Sequence, residues 1–367
     1  MKCLDARFVP EKNAFTFLRL CLAIGVLVSH SWAIGGFGAE PLWGFSLDKV
    51  TLGRFCVLGF FSVSGFLIMR SLDHSTSVPR FFWNRFLRIF PAYWAFLLMA
   101  MIFFVPLYCW LHRFPLKLML SQHLGNIVSY GTDNFWLRVH RWDIQPLLGN
   151  VPVRFKINLS IWSLIYEWRC YVMIAICSVF PVQKFRLGLL MLIAFCTWVL
   201  GILHFNFPAV IPELSWLPLW FTDIELGFLF PYFCCGALLY KFRTKVSSHW
   251  AIFALSCFLI VLGLHYNLLA VVGPPAVGYA LVWLALSLPA RLCWFDGRRD
   301  ISYGLFVYAW PLQQALALAH VNRLGVAWFI LASASLAFVF AVFSRILVEQ
   351  PALRLKGLWQ GRSQVSG

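Results

Sequence analysis

The sequence predicts an all-α integral membrane protein, a bundle of about ten transmembrane helices, and three observations carry that expectation. Of 367 residues, 61% are apolar and 12% charged, with a mean hydropathy of +0.78, too little polar surface for a chain of this length to be solvated by water. Long apolar runs recur along the whole chain, each near the roughly 20 residues that a helix rising 1.5 Å per residue needs to cross hydrocarbon. The runs are continuous and do not alternate, which fits a membrane β-barrel badly.

Taken in order, the runs fall at about 14–34, 50–72, 90–112, 160–180, 186–204, 224–240, 249–266, 270–289, 301–319 and 325–346, with Trp and Tyr often near their ends, as expected at headgroup level. Ten spans put both termini on one side. The first carries Arg19 and His30 and is followed by many more, so it reads as an uncleaved anchor rather than a signal peptide. Residues 1–350 are expected to form one membrane domain, and 351–367 a short basic cytoplasmic tail.

With 30 Lys and Arg against 14 Asp and Glu, the formal charge is +16. In a soluble protein that would suggest nucleic acid; here the placement of the charges argues for orientation instead, and no nucleic-acid partner is expected. If the termini are cytoplasmic, the inner segments hold Lys2, Arg7, Lys12, Arg70, Arg80, Arg85, Arg88, Lys184, Arg186, Lys241, Arg243, Lys245, Arg291, Arg298, Arg299, Arg354, Lys356 and Arg362, and the short outer loops only Lys49 and Arg323. The exception is the long outer segment 113–158, whose six cations suit either a solvated loop or an anionic acceptor. Both termini are therefore expected to be cytoplasmic, and the protein is expected in the inner (plasma) membrane. The eleven cysteines are scattered, without C-x-x-C or zinc-type spacing, and read as packing residues, so neither a metal nor a disulfide is expected.

Charges inside apolar spans mark the candidate site, because a mid-helix charge is disfavoured by roughly 2.5–3.5 kcal/mol on insertion scales. Arg19 and His30 are eleven positions apart, which returns to nearly the same helix face about 16 Å along the axis. His30 titrates near neutrality and suits a general base; Arg19 stays charged and suits an anion. Arg85 and Arg88, three apart in VPRFFWNRFLRIF, are helical neighbours that could bind lipid headgroups or clamp a phosphate. The fourth span opens INLSIWSLIYEWRCYV, with Trp162, Glu167 and Arg169 at or inside the boundary. Glu167 there needs a partner, with His30, Arg169 or another Arg as alternatives. Ser62, Ser64 and Gly65 in the second span read as a close helix contact, and Arg54 near its outer end as an acceptor contact.

Together these elements resemble the acyltransferase-3 family of membrane acyltransferases that modify bacterial surface glycans. The resemblance rests on Arg19 and His30, FFSVSGFLI, Arg85-x-x-Arg88, SIWSLIYEWRCY around Glu167, ISYGLFVYAWP at 301–311 and VEQP at 348–351, in family order. It implies a catalytic His30 with Glu167, and Arg19, Arg85 and Arg88 as binders of the acyl donor, acetyl-CoA or a relative. Arg54, Trp162, Arg169 and Tyr303 would contact the acceptor, a glycan or lipid-linked oligosaccharide. An aromatic-His pair of the family is replaced by Tyr308-Ala309. The resemblance thus implies an O-acyltransferase; from the charges alone, a proton-coupled transporter or flippase for an anionic lipid or sugar stays open. Membrane lipids are expected neighbours, and monomer and homodimer are both left open.

Overall fold

The computed structural model describes residues 3–10, 12–180, 182–206, 223–289, 292 and 300–359; Lys2, Arg291, Arg298, Arg299, Arg362 and the last residues of the basic tail lie outside them. Among the described residues the secondary structure is helical, with no strand. The helices are α1 (Phe15–Gly35), α2 (Pro41–Phe45), α3 (Leu52–Asp73), α4 (Val78–Met99), α5 (Val105–Leu111), α6 (Leu116–Asp133), α7 (Leu164–Val179), α8 (Gln183–Asn206), α9 (Ile224–Lys241), α10 (Trp250–His265), α11 (Leu269–Ser287), α12 (Ser302–Leu318), α13 (Val326–Ser344) and α14 (Gln350–Arg354).

Seven helical stretches among the described residues are long and apolar enough to cross a bilayer: Phe15–Gly35, Leu52–Asp73, Val78–Leu111, Gln183–Asn206, Ile224–Lys241, Leu269–Ser287 and Val326–Gly357. The expected count of about ten does not follow from helix length. The other three expected spans are α7 and α10, of 16 residues each, and α12, of 17, or about 24–26 Å at 1.5 Å per residue against a hydrocarbon core of about 30 Å.

Two boundaries differ from expectation. The Arg85–Arg88 segment is not separate from the third span but forms the opening turns of one helical stretch from Val78 to Leu111. The segment 113–158 is not simply a loop, since α6 occupies its first half. At two prolines the helix widens. The π-helical turns Ala100–Phe104 and Arg345–Glu349 each precede a proline, Pro106 and Pro351. Proline has no N–H and crowds the carbonyl four residues back, which in both cases lies within the widened turn.

The chain forms two compact units. One comprises Met1–Leu22, Pro41–Val78 and Tyr166–Asp300; the other Ala23–Glu40, Pro79–Ile165 and Ile301–Gly367. In the first unit, side chains cap the helices: Thr51 accepts from the Arg54 N–H and starts α3, and Asp223 accepts from the Glu225 N–H and starts α9. α3 then packs on α9 so closely that a Cβ at Gly65 would collide with the Phe233 carbonyl, and one at Gly236 with the Ser62 carbonyl. That is the close contact expected of the Ser62–Gly65 stretch, in which small residues let two backbones approach. The N-terminal strap is held by Leu4 N–H to Val246 O (3.0 Å) and by Arg243 to Asp5 (2.7 Å).

In the second unit α12 packs on α13 with Gly304 against Ala341. Gly65→Ala should lower the stability of the detergent-solubilised protein by about 3 kcal/mol, the upper end of ordinary overpacking, read as a fall in thermal midpoint. Gly188→Ala, where a Cβ meets open space, should leave it unchanged.

Candidate active site

The second unit holds His30 in place through α12. Gln313 lies within that apolar helix and donates from Nε2 to the Leu27 carbonyl (2.9 Å) and to Ser31 Oγ (2.7 Å), three residues before and one residue after His30 on α1. The next residue, Gln314, donates to the carbonyls of Val153 and Lys156 (2.8 Å each), and Trp310 Nε1 to Lys156 (3.1 Å). Asn158 donates to the Val307 carbonyl (2.8 Å) and accepts from the Ser160 N–H (2.9 Å). A backbone that would otherwise lack partners in an apolar setting is thus tied to one helix.

The result is local. Ser160 Oγ lies 3.4 Å from His30 Nδ1, and the imidazole meets the Trp310 ring edge-on at 4.6 Å. The ring therefore faces protein and is half-buried. In the tautomer that donates from Nδ1 to Ser160, Nε2 keeps a lone pair free to take a proton. Trp162 follows two residues after Ser160 in the same 3₁₀ turn.

A second feature of this unit gathers cations. Arg88 and Arg345 each approach the buried Glu349 carboxylate at 3.6 Å. Arg85 and Lys356 share their field, since Lys356 is repelled by Arg85, Arg88 and Arg345. Tyr303 is nearly fully buried; its hydroxyl donates to the Ile89 carbonyl (2.7 Å) and its ring sits 6.0 Å from the Arg88 guanidinium. The structure thus places Tyr303 beside the basic cluster. Two of these four cations, Arg88 and Arg345, meet the one carboxylate, and a group of cations close enough to repel one another is suited to a multiply charged anion.

The remaining expected residues lie in the first unit. Arg19 is ion-paired with Asp300 at 2.8 Å, Asp300 being almost fully buried. Arg54 forks onto Glu225 (3.2 and 2.8 Å) with its guanidinium over Phe228. Arg169 pairs with Asp223 at 2.7 Å, which also accepts from the Tyr166 hydroxyl. In place of the expected His30, Arg169 or another Arg, Glu167 meets hydroxyls: it accepts from Tyr171 and, at 3.3 Å, from Ser64, while Arg169 is taken by Asp223. Arg19, Arg54 and Arg169 therefore each engage a carboxylate of the chain itself.

Sequence reasoning missed Ser160, Asp300, Gln313, Arg345 and Glu349 as site residues. Asp300 and the amide pair Gln313-Gln314 carried a signal, being polar groups at the edge or in the middle of an apolar run. Ser160 carried none.

Apolar helices folded around charges that lipid would reject define a multi-pass membrane protein whose polar groups pair with one another. The family model described as an acyltransferase domain, acyltransferase-3, matches residues 12–346, and the chain belongs to that family; it is a membrane acyltransferase. The chain is 27% identical over 315 residues, 83% of its own length and 86% of the relative's, to an O-acetyl transferase of Shigella phage Sf6. It is 24% identical to nodulation protein 10 of Rhizobium leguminosarum bv. viciae, over 94% of each chain. No solved structure matches it.

Asp300→Ala should destabilise the protein by about 3 kcal/mol, because Arg19 would be left as an uncompensated, mostly buried charge. The double change Arg19→Met with Asp300→Leu should restore most of the thermal midpoint. If Asp300→Ala alone unfolds at the wild-type temperature, the pair has no structural weight.

Proposed function

We propose that the protein is an O-acetyltransferase that moves an acetyl or similar short acyl group from acyl-CoA, used on the cytoplasmic side of the inner membrane, to a hydroxyl of a cell-surface or lipid-linked polysaccharide. The observation that carries this reading is that one compact unit holds both an imidazole with a hydroxyl partner and a cluster of four cations. The named activity of the phage relative supports the acetyl donor and the oxygen acceptor. Family membership favours the enzyme over the transporter.

In this reading the phosphates of the donor bind Arg85, Arg88, Arg345 and Lys356, whose mutual repulsion an entering polyanion relieves. His30 Nε2 takes the proton of the acceptor hydroxyl as that oxygen bonds to the acyl carbon, and the C–S bond breaks. His30 then returns the proton to the leaving sulfur, so the products are an ester and a free thiol. Ser160 holds the imidazole tautomer, and Trp162 is a candidate wall for the acceptor sugar. Arg19, Arg54, Arg169 and Tyr303 keep their proposed binding roles as contacts formed beyond the ion pairs and hydrogen bonds they already make. Glu167 stays a proposed catalytic carboxylate, for which the isosteric Glu167→Gln is the variant of choice. The termini are proposed to be cytoplasmic.

Purified protein in detergent should bind radiolabelled acetyl-CoA. Arg88→Ala and Lys356→Gln should each weaken that binding about tenfold, the scale of one charge-assisted contact. His30→Ala should bind donor like the wild type and lose transfer to extracted envelope glycans by at least about a hundredfold, the lower range for general-base catalysis. Wild-type transfer by His30→Ala would sink the assignment of the base. Unchanged donor binding in both cation variants would sink that of the clamp.

A further inference from the structure

The first unit contains a cavity that the acyl-transfer scheme does not use. It measures about 690 Å³, within the roughly 300–1,000 Å³ of small-molecule sites, and opens where α3 and α7 end and α8 begins. Each helix contributes one face at helical spacing: Met69, Leu72 and Asp73 from α3, Ile174, Cys177 and Ser178 from α7, and Gln183, Arg186, Leu187 and Leu190 from α8.

The same gradient runs along all three faces. Met69, Ile174, Cys177 and Leu190 are buried, at 4%, 1%, 4% and 2% exposure, and form an apolar floor. Polar groups stand at the helix ends that form the mouth: Asp73, Ser178, Gln183 and Arg186, with Ser75 and Ser77 from the connection after α3. Asp73 is already neutralised by Lys241 at 2.6 Å. Among the described residues that leaves Arg186 as the charge of the lining with no ion pair. Its Nε donates to the Phe180 carbonyl, which fixes the guanidinium, and no other hydrogen bond of its side chain is recorded among the described residues. A polar mouth with one fixed guanidinium, above a buried apolar floor, has the shape and polarity of an anionic head joined to a hydrocarbon tail. The outward side of α8 is itself apolar, with Phe185, Leu192 and Phe195 exposed, so a tail could enter from the lipid phase.

We propose that this cavity binds a phosphate ester carrying an apolar chain, its phosphate on Arg186 and its chain on Met69, Ile174 and Leu190. Two sources share that chemistry, an anionic membrane phospholipid and a polyprenyl-phosphate carrier. The site is independent of the acyl-transfer reading, because its readout is binding alone.

The test uses the full chain, delipidated in detergent and titrated separately with phosphatidylglycerol, polyprenyl phosphate and phosphatidylcholine, with retained lipid counted by native mass spectrometry. Wild type should retain one of the two anionic lipids at least about tenfold better than phosphatidylcholine, and which one it retains identifies the source. Arg186→Gln, at an exposed position that folding tolerates, should lose about tenfold of that preference. Lys184→Gln, on the same turn but outside the lining, should keep it. The proposal is overturned if neither anionic lipid is preferred, if Arg186→Gln retains lipid like the wild type, or if Lys184→Gln weakens retention as much as Arg186→Gln, which would mean diffuse attraction to a basic surface.

Discussion

The candidate site of this fold depends on the rule that a polar donor in hydrocarbon is costly unless it finds a partner in protein. The clearest case is the amide pair of α12. Gln313 fastens the α1 backbone around His30, and Gln314 fastens the irregular segment that delivers Ser160. Two adjacent amides on one helix point to different neighbours because successive residues are 100° apart. A helix of only 17 residues thereby acts as the post to which the imidazole and its hydroxyl partner are tied.

The same rule separates structural charge from functional charge. In the first unit each arginine singled out from the sequence meets a carboxylate: Arg19 with Asp300, Arg54 with Glu225, Arg169 with Asp223. Such pairs balance their own charge and fix helix positions. In the second unit Arg88 and Arg345 share Glu349, with Arg85 and Lys356 in the same field, the cluster to which the proposed reading assigns an incoming anion.

Much of the architecture was legible in the sequence because lipid imposes so simple a pattern. Apolar runs gave the helices, and the small residues Ser62 and Gly65 marked where two backbones touch. What could not be read was length and partnership. The helices α7, α10 and α12 are shorter than their apolar runs suggested, since a run counts residues that leave the helix at its ends. Arg85 and Arg88 belong to the opening of a long helix because Pro91, which might have separated them from the span, is accommodated within it. Partner identity depends on contacts across hundreds of positions: Asp300 is 281 residues from Arg19, and Ser160 is 130 from His30. No local spacing reports such distances. Glu167 shows the same limit, since its tyrosine partner lies one turn away while its serine partner is 103 residues distant.

The account stands on the claim that α12 holds His30 in working position. The direct measurement is the rate of radiolabelled acetyl transfer by Gln313→Leu, alongside its binding of acetyl-CoA. The expected result is donor binding equal to wild type with transfer reduced about tenfold or more, as misplacement of a catalytic group produces. Wild-type transfer by a variant that has lost the tie between α12 and α1 would contradict the account.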